Sequence, residues 1–409
     1  MRILYLHQYF MTRAGVGGTR SYEFARRFVA RGHEVTMVTA ASPAEGGRLV
    51  RRRDVEGIQV LEVRAGYSDY VRGTKLGYPR RVAEFTAFAL AALWTVLRVP
   101  RPDVVYATSP PLTTALPAIA ASRRHRAPLV FEVRDLWPEA PIQIGALRNP
   151  ALKALARLLE RIAYRAATEV IALSPGMRHG VVAAGVDPRR VTVVPNASDL
   201  ELFRPDLDGS EFRERLGLDD RFVCTYFGTM GEANDLSQVI EAAALLRDGG
   251  EGDGVVFVLH GDGKRRAQLE GLARRRGLDN VVFSDPIPDK TSVARLAAAS
   301  DACMTIYKDV PVLYTCSPNK LFDTFAAGRP AIVNTPGWLK ELVEGHEAGV
   351  YAAPGDAADL ARKVAFLRDH PDAVRRYGEN ARRLAESDFS RDLLAARALS
   401  LLERAAGRG

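Results

Sequence analysis

What most constrains this chain is an alternation of short β-branched runs and helical stretches that begins at its first residues. Ile3 to Leu6 reads as a strand, Gly15, Gly17 and Gly18 as a glycine-rich turn, and Thr19 to Arg31 carries Tyr22, Ala25, Phe28 and Val29 at helical spacing. Gly32 is a helix stop, and Val35 to Thr39 is the next strand. Two strands joined through a helix run parallel, because only a tight turn makes a hairpin. The rhythm continues with strands expected at Asp103 to Ala107, Leu129 to Val133, Glu169 to Leu173 and Val191 to Val194. After a stretch rich in proline and aspartate, PNASDLELFRPDLDGS, it resumes at Phe222 to Phe227, Val255 to Leu259, Val281 to Phe283, Ala302 to Ile306 and Ala331 to Val333.

A chain of 409 residues exceeds the roughly 250–300 that one hydrophobic core serves, so two cores are expected. The fold class is therefore α/β, with two Rossmann-like doubly wound domains facing each other across a cleft and ligands at the carboxyl ends of the strands. The boundaries follow the linker: residues 1–199, residues 200–385, and a helical tail, 386–409, able to pack back across the boundary. Cys224, Cys303 and Cys316 are scattered and have no CxxC spacing, which excludes a disulfide framework and argues against a zinc site. The 57 Lys and Arg against 49 Asp and Glu leave +8, which suggests an anionic partner: nucleic acid, an acidic membrane or a phosphorylated substrate. No nucleic-acid recognition motif accompanies the charge, so nucleic acid is not an expected partner.

The opening run MRILYL is too short for a signal peptide, and the apolar stretch Phe85 to Leu97 falls short of the roughly 18 residues that span a bilayer. A cytoplasmic protein is expected, peripheral at most on the inner face of the plasma membrane. Tyr67, Tyr70, Arg72, Lys75, Tyr78, Arg80 and Arg81 precede that stretch, which continues through Phe88, Leu93 and Trp94. Residues 67–97 thus read either as an interfacial segment on an anionic membrane or as a buried helix with solvated flanks. Arg123, Arg124, His125 and Arg126 would add to the same surface.

Six strings carry a resemblance to one family: RSYEFARRFVARGHEVTMVT, FEVRDLWPEAPIQIG, VIALSPGM, VPNASDLELF, HGDGKRRAQLE and SPNKLFDTFAAGRPAIV. Together they resemble the retaining, nucleotide-sugar-dependent glycosyltransferases of family 4, which have the two-domain GT-B architecture. DLWPE and SPNKLFD look closest to transferases that add an aminosugar such as N-acetylfucosamine in bacterial surface-polysaccharide assembly. The resemblance implies a nucleotide-sugar donor, UDP-linked, and a glycan or lipid-linked acceptor. No separate cofactor is implied, since the nucleotide-sugar is itself a substrate.

Residue by residue, Ser317, Pro318, Asn319 and Lys320 read as a helix start, with Ser317 as cap, Pro318 in the first turn and Leu321, Phe322 and Phe325 on the buried face. Free amides and the Lys320 ammonium at such a start suit a departing diphosphate, and an ordinary capped helix is the alternative. The family carries two glutamates eight positions apart here. Asp323 stands at the second, which the resemblance assigns to the nucleotide ribose, and Thr315 stands at the first, so Ser317 or backbone groups would substitute there. Gly228 opens the loop GTMGEAND, where the family places cations but this chain has Glu232, Asn234 and Asp235. Diphosphate charge would then be met by Lys264, Arg265, Lys320 and helix amides. Gly261 permits a tight turn beside a ligand, and Ser284 to Ile287 is where the family holds the base.

In the first half, Gly17 and Gly18 sit where the family closes a loop over phosphate and acceptor. Arg20 replaces the third glycine of a dinucleotide fingerprint, which argues against a nicotinamide enzyme. Arg134 stands where relatives often have a histidine, leaving Asp135 and Glu139 as candidates to orient or deprotonate an acceptor, or else as a cap and an ion pair. Asp206 and Asp208 lie in the linker and read as solvated charge, so no metal site is expected. The expected reaction is front-face displacement with retention, the diphosphate oxygens assisting acceptor deprotonation. The alternatives are a UDP-sugar 2-epimerase of the same architecture and a transferase acting on a soluble small-molecule acceptor.

Overall fold

The structure is a computed structural model, and it describes the chain except residues 14, 16, 42–48, 66–77, 219, 251–253, 288 and 409. The strands of the first half are β1 (Arg2–Leu6), β2 (Glu34–Ala40), β3 (Val50–Val55), β4 (Ile58–Val63), β5 (Val104–Ser109), β6 (Leu129–Val133), β7 (Glu169–Ala172) and β8 (Val191–Val193). They form one sheet in the order β3-β4-β2-β1-β5-β6-β7-β8, parallel except for the β3–β4 hairpin. The second half holds β9 (Phe222–Phe227), β10 (Val255–His260), β11 (Val281–Ser284), β12 (Ala302–Thr305), β13 (Ala331–Val333) and β14 (Gly349–Tyr351). Their order is β11-β10-β9-β12-β13-β14, all parallel. Central strands such as β5 and β10 are buried at every residue, as parallel strands covered on both faces must be.

Two strands of the first sheet have no counterpart in the sequence reading. β3 reads VRRRDV, with charged residues exposed at the sheet edge, so it carries no apolar run to detect. Glu56 and Gly57, both with positive φ, turn it into β4. The short β14 was likewise missed, because three residues give no periodicity.

The helices of the first half are α1 (Arg20–Ala30), α2 (Tyr78–Val96), α3 (Ala115–His125), α4 (Glu139–Gln143), α5 (Pro150–Ala166) and α6 (Pro175–Ala183). Those of the second are α7 (Ser210–Arg215), α8 (Ser237–Asp248), α9 (Arg266–Arg275), α10 (Lys290–Ala298), α11 (Asn319–Ala326), α12 (Trp338–Gly345), α13 (Ala357–Asp369), α14 (Pro371–Ser387) and α15 (Arg391–Ala405). In the first half α2, α3 and α5 lie side by side, and α1 packs against α15. α15 touches β5, β6 and β7, so the last helix of the chain covers the first sheet. The chain crosses between the halves twice, at 195–199 and at 388–391. The crossings are tied together where Ser198 N donates to Phe389 O at 3.2 Å and Arg391 N to Ser198 O at 3.1 Å.

In each sheet the strand order reverses beside the first strand of its series, between β1 and β5 and between β9 and β12. The crevice at such a switch point is where doubly wound sheets bind ligands. Loops following β1, β6, β9 and β12 meet there, which positions the site.

Candidate active site

The first-half wall of the cleft is built on a buried ion pair. Arg20, the residue standing in place of a third glycine, reaches across from α1 to Glu132 on β6, at 3.0 Å from Nε and 2.8 Å from Nη2. Tyr106 and Thr108 donate to the same carboxylate at 2.6 and 2.8 Å, and Arg20 also donates to Val194 O at 2.9 Å. Every oxygen of this buried carboxylate is thereby met, the condition under which a buried pair is tolerated. The network fixes the end of β6, two residues before Arg134. Nothing in the sequence pattern flagged Glu132, because it lies within an apolar strand and its partners are distant in sequence.

Arg134 donates to His7 Nε2 at 3.2 Å. A guanidinium only donates, so Nε2 is the bare nitrogen, and Nδ1 carries the proton toward Ser21 Oγ at 2.7 Å. Burial and the neighbouring Arg134 hold His7 well below the usual histidine range, so it stays neutral. Among the described residues Arg134 has no carboxylate within ion-pair distance. Gly18 lies between the two halves: a Cβ there would stand 3.2 Å from Arg134 Nη2 and 3.5 Å from Asn319 Nδ2. The glycine loop, Arg134 and the start of α11 therefore converge.

On the second-half wall, Lys320 donates to the Tyr226 hydroxyl at 2.7 Å, and its ammonium stands 3.9 Å from the centre of that ring. The Tyr307 ring centre lies 5.9 Å from the same ammonium. A Cβ at Gly228 would come within 3.2 Å of Lys320 Nζ, and one at Gly261 within 2.0 Å of Gly228 O. Gly261, at φ +134°, is thus required so that the loops after β9 and β10 can touch. Desolvation between aromatic rings lowers the Lys320 pKa to about 7; the side chain is only partly covered, so cleft water tempers that push. Asp135 is exposed at the cleft edge, and desolvation by the surrounding protein raises its carboxyl to about 6 against the pull of Arg134.

Several expected site residues have other duties. Ser317 is not the cap of α11: its hydroxyl accepts from Asn196 N at 3.0 Å and its carbonyl from Asn196 Nδ2 at 2.5 Å, joining the linker to the second half. Pro318 is the cap residue, and Asn319 is the first of the helix. Leu321 is fully buried and its amide bonds Pro318 O at 3.1 Å, which leaves the amides of Asn319 and Lys320 as those facing outward. Glu139 turns away toward α5, accepting from Gln143 at 3.0 Å and facing Arg157 at 3.6 Å, so it is corrected to a surface ion pair. Lys264 is exposed beyond Gly263. Arg265 is held by Glu232 at 3.1 Å, so the acidic loop neutralises the nearest cation.

Asp323 is buried. Lys290 covers its Oδ2 at 2.8 Å, while Oδ1 has no partner. Thr315 also serves the junction between halves, its carbonyl accepting from Ser174 Oγ and its side chain packing on Gly176. Gly17 has φ +142° and an exposed backbone at the cleft rim. Asp206 pairs with Arg204 at 3.4 Å and Asp208 accepts from Ser210 N at 2.9 Å, both in the linker as expected. Among the described residues no group of three His, Cys, Asp or Glu side chains is arranged to hold a metal ion. Residues 67–77, the first third of the expected interfacial segment 67–97, lie outside the described residues.

Residues 16–197 match the family described as Glycosyl transferase 4-like domain, and residues 208–384 match Glycosyl transferases group 1. The Escherichia coli K12 protein named for colanic acid biosynthesis, glycosyl transferase WcaI, is 26% identical over 88% of this chain and 91% of its own length. A D-inositol 3-phosphate glycosyltransferase of Thermomonospora curvata is 29% identical over 91% of this chain and 87% of its own. Among solved structures, sucrose-phosphate synthase from Thermosynechococcus elongatus superposes with TM-score 0.79 at 18% identity, covering 100% of both chains. Anabaena Alr3699/HepE in complex with UDP-glucose does so with TM-score 0.72 at 20% identity, covering 98% of this chain and 99% of that one. Both families are transferases, so the epimerase alternative is not favoured. The two halves of the chain each match one of these families, and the protein is a glycosyltransferase of the two-domain GT-B architecture that uses nucleotide-sugar donors.

Proposed function

We propose that the enzyme moves an N-acetylhexosamine-type sugar from UDP to a hydroxyl of a lipid-linked glycan at the cytoplasmic face of the membrane, with retention at the transferred carbon. The observation that carries the donor side is the meeting of Lys320 and the first amides of α11 with Gly18 and Arg134 across the cleft. A diphosphate placed there faces two cations and two outward amides, which stabilise the charge that develops as it leaves. The UDP reading is supported by the UDP-glucose of the HepE complex, and the polysaccharide reading by the name of WcaI. No side chain stands as an evident nucleophile, so leaving diphosphate oxygens take the acceptor proton while Asp135 orients the acceptor hydroxyl. No divalent metal takes part in this scheme. Asp323 holds the ribose once Lys290 swings from its Oδ2, and Gly17 and Gly18 close over the phosphates.

Calorimetric titration with UDP tests the donor site. Lys320→Ala should weaken binding about tenfold or more, the scale of one charge-assisted contact to phosphate. Unchanged affinity would remove Lys320 from the site. Screening nucleotide-sugars for slow hydrolysis and for thermal stabilisation identifies the sugar, and strict dependence of turnover on an added divalent ion would overturn the metal-free scheme.

A further inference from the structure

α5 is a 17-residue helix of which only Ala163 and Tyr164 are buried. It is exposed along a stripe that a soluble surface does not ordinarily leave bare: Leu155 at 61%, Leu158 at 52% and Ile162 at 41%, spaced three and four residues apart. Arg157, Arg161 and Arg165 follow at four-residue steps along the adjacent stripe. α3 and α2, lying beside it in the same layer, continue the apolar surface with Leu116, Leu90 and Trp94. Arg98 lies over the Trp94 ring, 3.9 Å from its centre.

We infer that α5, extended by the outer faces of α3 and α2, docks this enzyme on the surface of an anionic bilayer. Its leucines would enter the acyl boundary while its arginines meet lipid phosphates. This deepens the lipid-linked acceptor reading and rests on it for its purpose. An apolar stripe flanked by a cationic one is the arrangement an interfacial helix needs. α5 carries Lys153, Arg157, Arg161 and Arg165 against the single carboxylate Glu160. A second copy of the chain is the poorer occupant, because a two-fold contact would set these cationic rows against each other. No helix among the described residues is long and apolar enough to cross a membrane, so attachment through this face is by lying on it. The position suits transfer: Arg157 faces Glu139 on α4, four residues beyond Asp135, so the docked face adjoins the mouth of the cleft.

The test is co-sedimentation of the full chain with phosphatidylcholine vesicles, with and without phosphatidylglycerol. The wild type should pellet only with the anionic vesicles and be released by salt. Leu155→Glu with Leu158→Glu should lower the bound fraction about tenfold or more while leaving melting temperature and UDP affinity unchanged. A wild type that stays in the supernatant with anionic vesicles overturns the inference, and so does a double variant that pellets like the wild type. Light scattering that shows a wild-type dimer converted to monomer by the double variant would instead assign the face to self-association and overturn it too. A chain that binds vesicles yet transfers no sugar from any nucleotide-sugar keeps the docking face and sinks the transfer reading alone.

Discussion

Lys320 is held in a state its charge does not favour, against the Tyr226 and Tyr307 rings and, among the described residues, with no carboxylate in ion-pair distance. A diphosphate supplies the missing counter-charge, so binding favours the protonated amine and raises its pKa. UDP affinity should therefore weaken as pH rises above about 7, the free enzyme's value, and binding there should take up a proton. Calorimetry in buffers of different ionisation enthalpy reads this uptake directly; pH-independent affinity between neutral and mildly alkaline conditions would exclude it. Asp135 titrates in the opposite sense for function. Its carboxylate form is the one that orients an acceptor hydroxyl, so turnover should fall as pH drops through about 6. Asp135→Asn should lower kcat by about a hundredfold, the lower end for a positioned acid–base group, with UDP affinity intact. Full activity in that variant would assign Asp135 to solvation of Arg134. Both residues were named from the sequence, as was Arg134 beside Asp135, but Tyr226 and Tyr307, the rings against which Lys320 is desolvated, were not. Those rings come from β9 and from the loop after β12, and no local pattern marks them as neighbours of Lys320.

One buried acidic side chain of α1, Glu23, gathers arginines from its own helix and from elsewhere in the chain. Glu23, buried, accepts from Arg13 Nε at 2.6 Å, Arg26 Nε at 2.8 Å and Arg27 Nη1 at 2.5 Å, and Arg391 of α15 lies close enough to act on it. Burial works against the charge, but these arginines prevail and hold its pKa at about 2, below the usual 4.5. A carboxylate depressed in the folded state stabilises above its unfolded pKa, and that contribution is lost as pH falls from about 4.5 toward 2. Glu23→Gln should cost about 2–3 kcal/mol at neutral pH and flatten the acid limb of the stability curve. Urea melts across that range check it; parallel acid limbs in the two proteins would show that Glu23 carries none of the linkage. The helical spacing of α1 was plain from Tyr22, Ala25 and Phe28. The purpose of its charged residues was not, because Asp392 and Arg391, which complete the cluster, lie more than three hundred residues away in the chain.

The molecule as a whole is two sheets with exchanged ends. Leu394, Ala395, Ala398, Leu399, Leu401 and Leu402 of α15 are buried, and the helix packs on α1 and on β5, β6 and β7. A chain of residues 1–199 expressed alone should therefore expose an apolar face and aggregate, and co-expression with residues 388–409 should restore a cooperative melt. A soluble, cooperatively melting 1–199 fragment without the tail would show α15 to be dispensable. The sequence by itself determined the architecture, because alternating buried strands and amphipathic helices are set by local periodicity, and two parallel series leave few ways to bury both faces of each sheet. It also located the cleft-edge residues Gly18, Arg134, Asp135, Asn319 and Lys320. Only the tertiary structure decided which of the named residues face the cleft. Ser317 and Leu321 are taken up by the linker and the core, and Glu139 by α5, while Arg20 proves to anchor a strand. The reason is physical. Periodicity records what a residue's own element buries, whereas a side chain's partner, its charge state and its access to the cleft depend on elements brought from elsewhere in the chain.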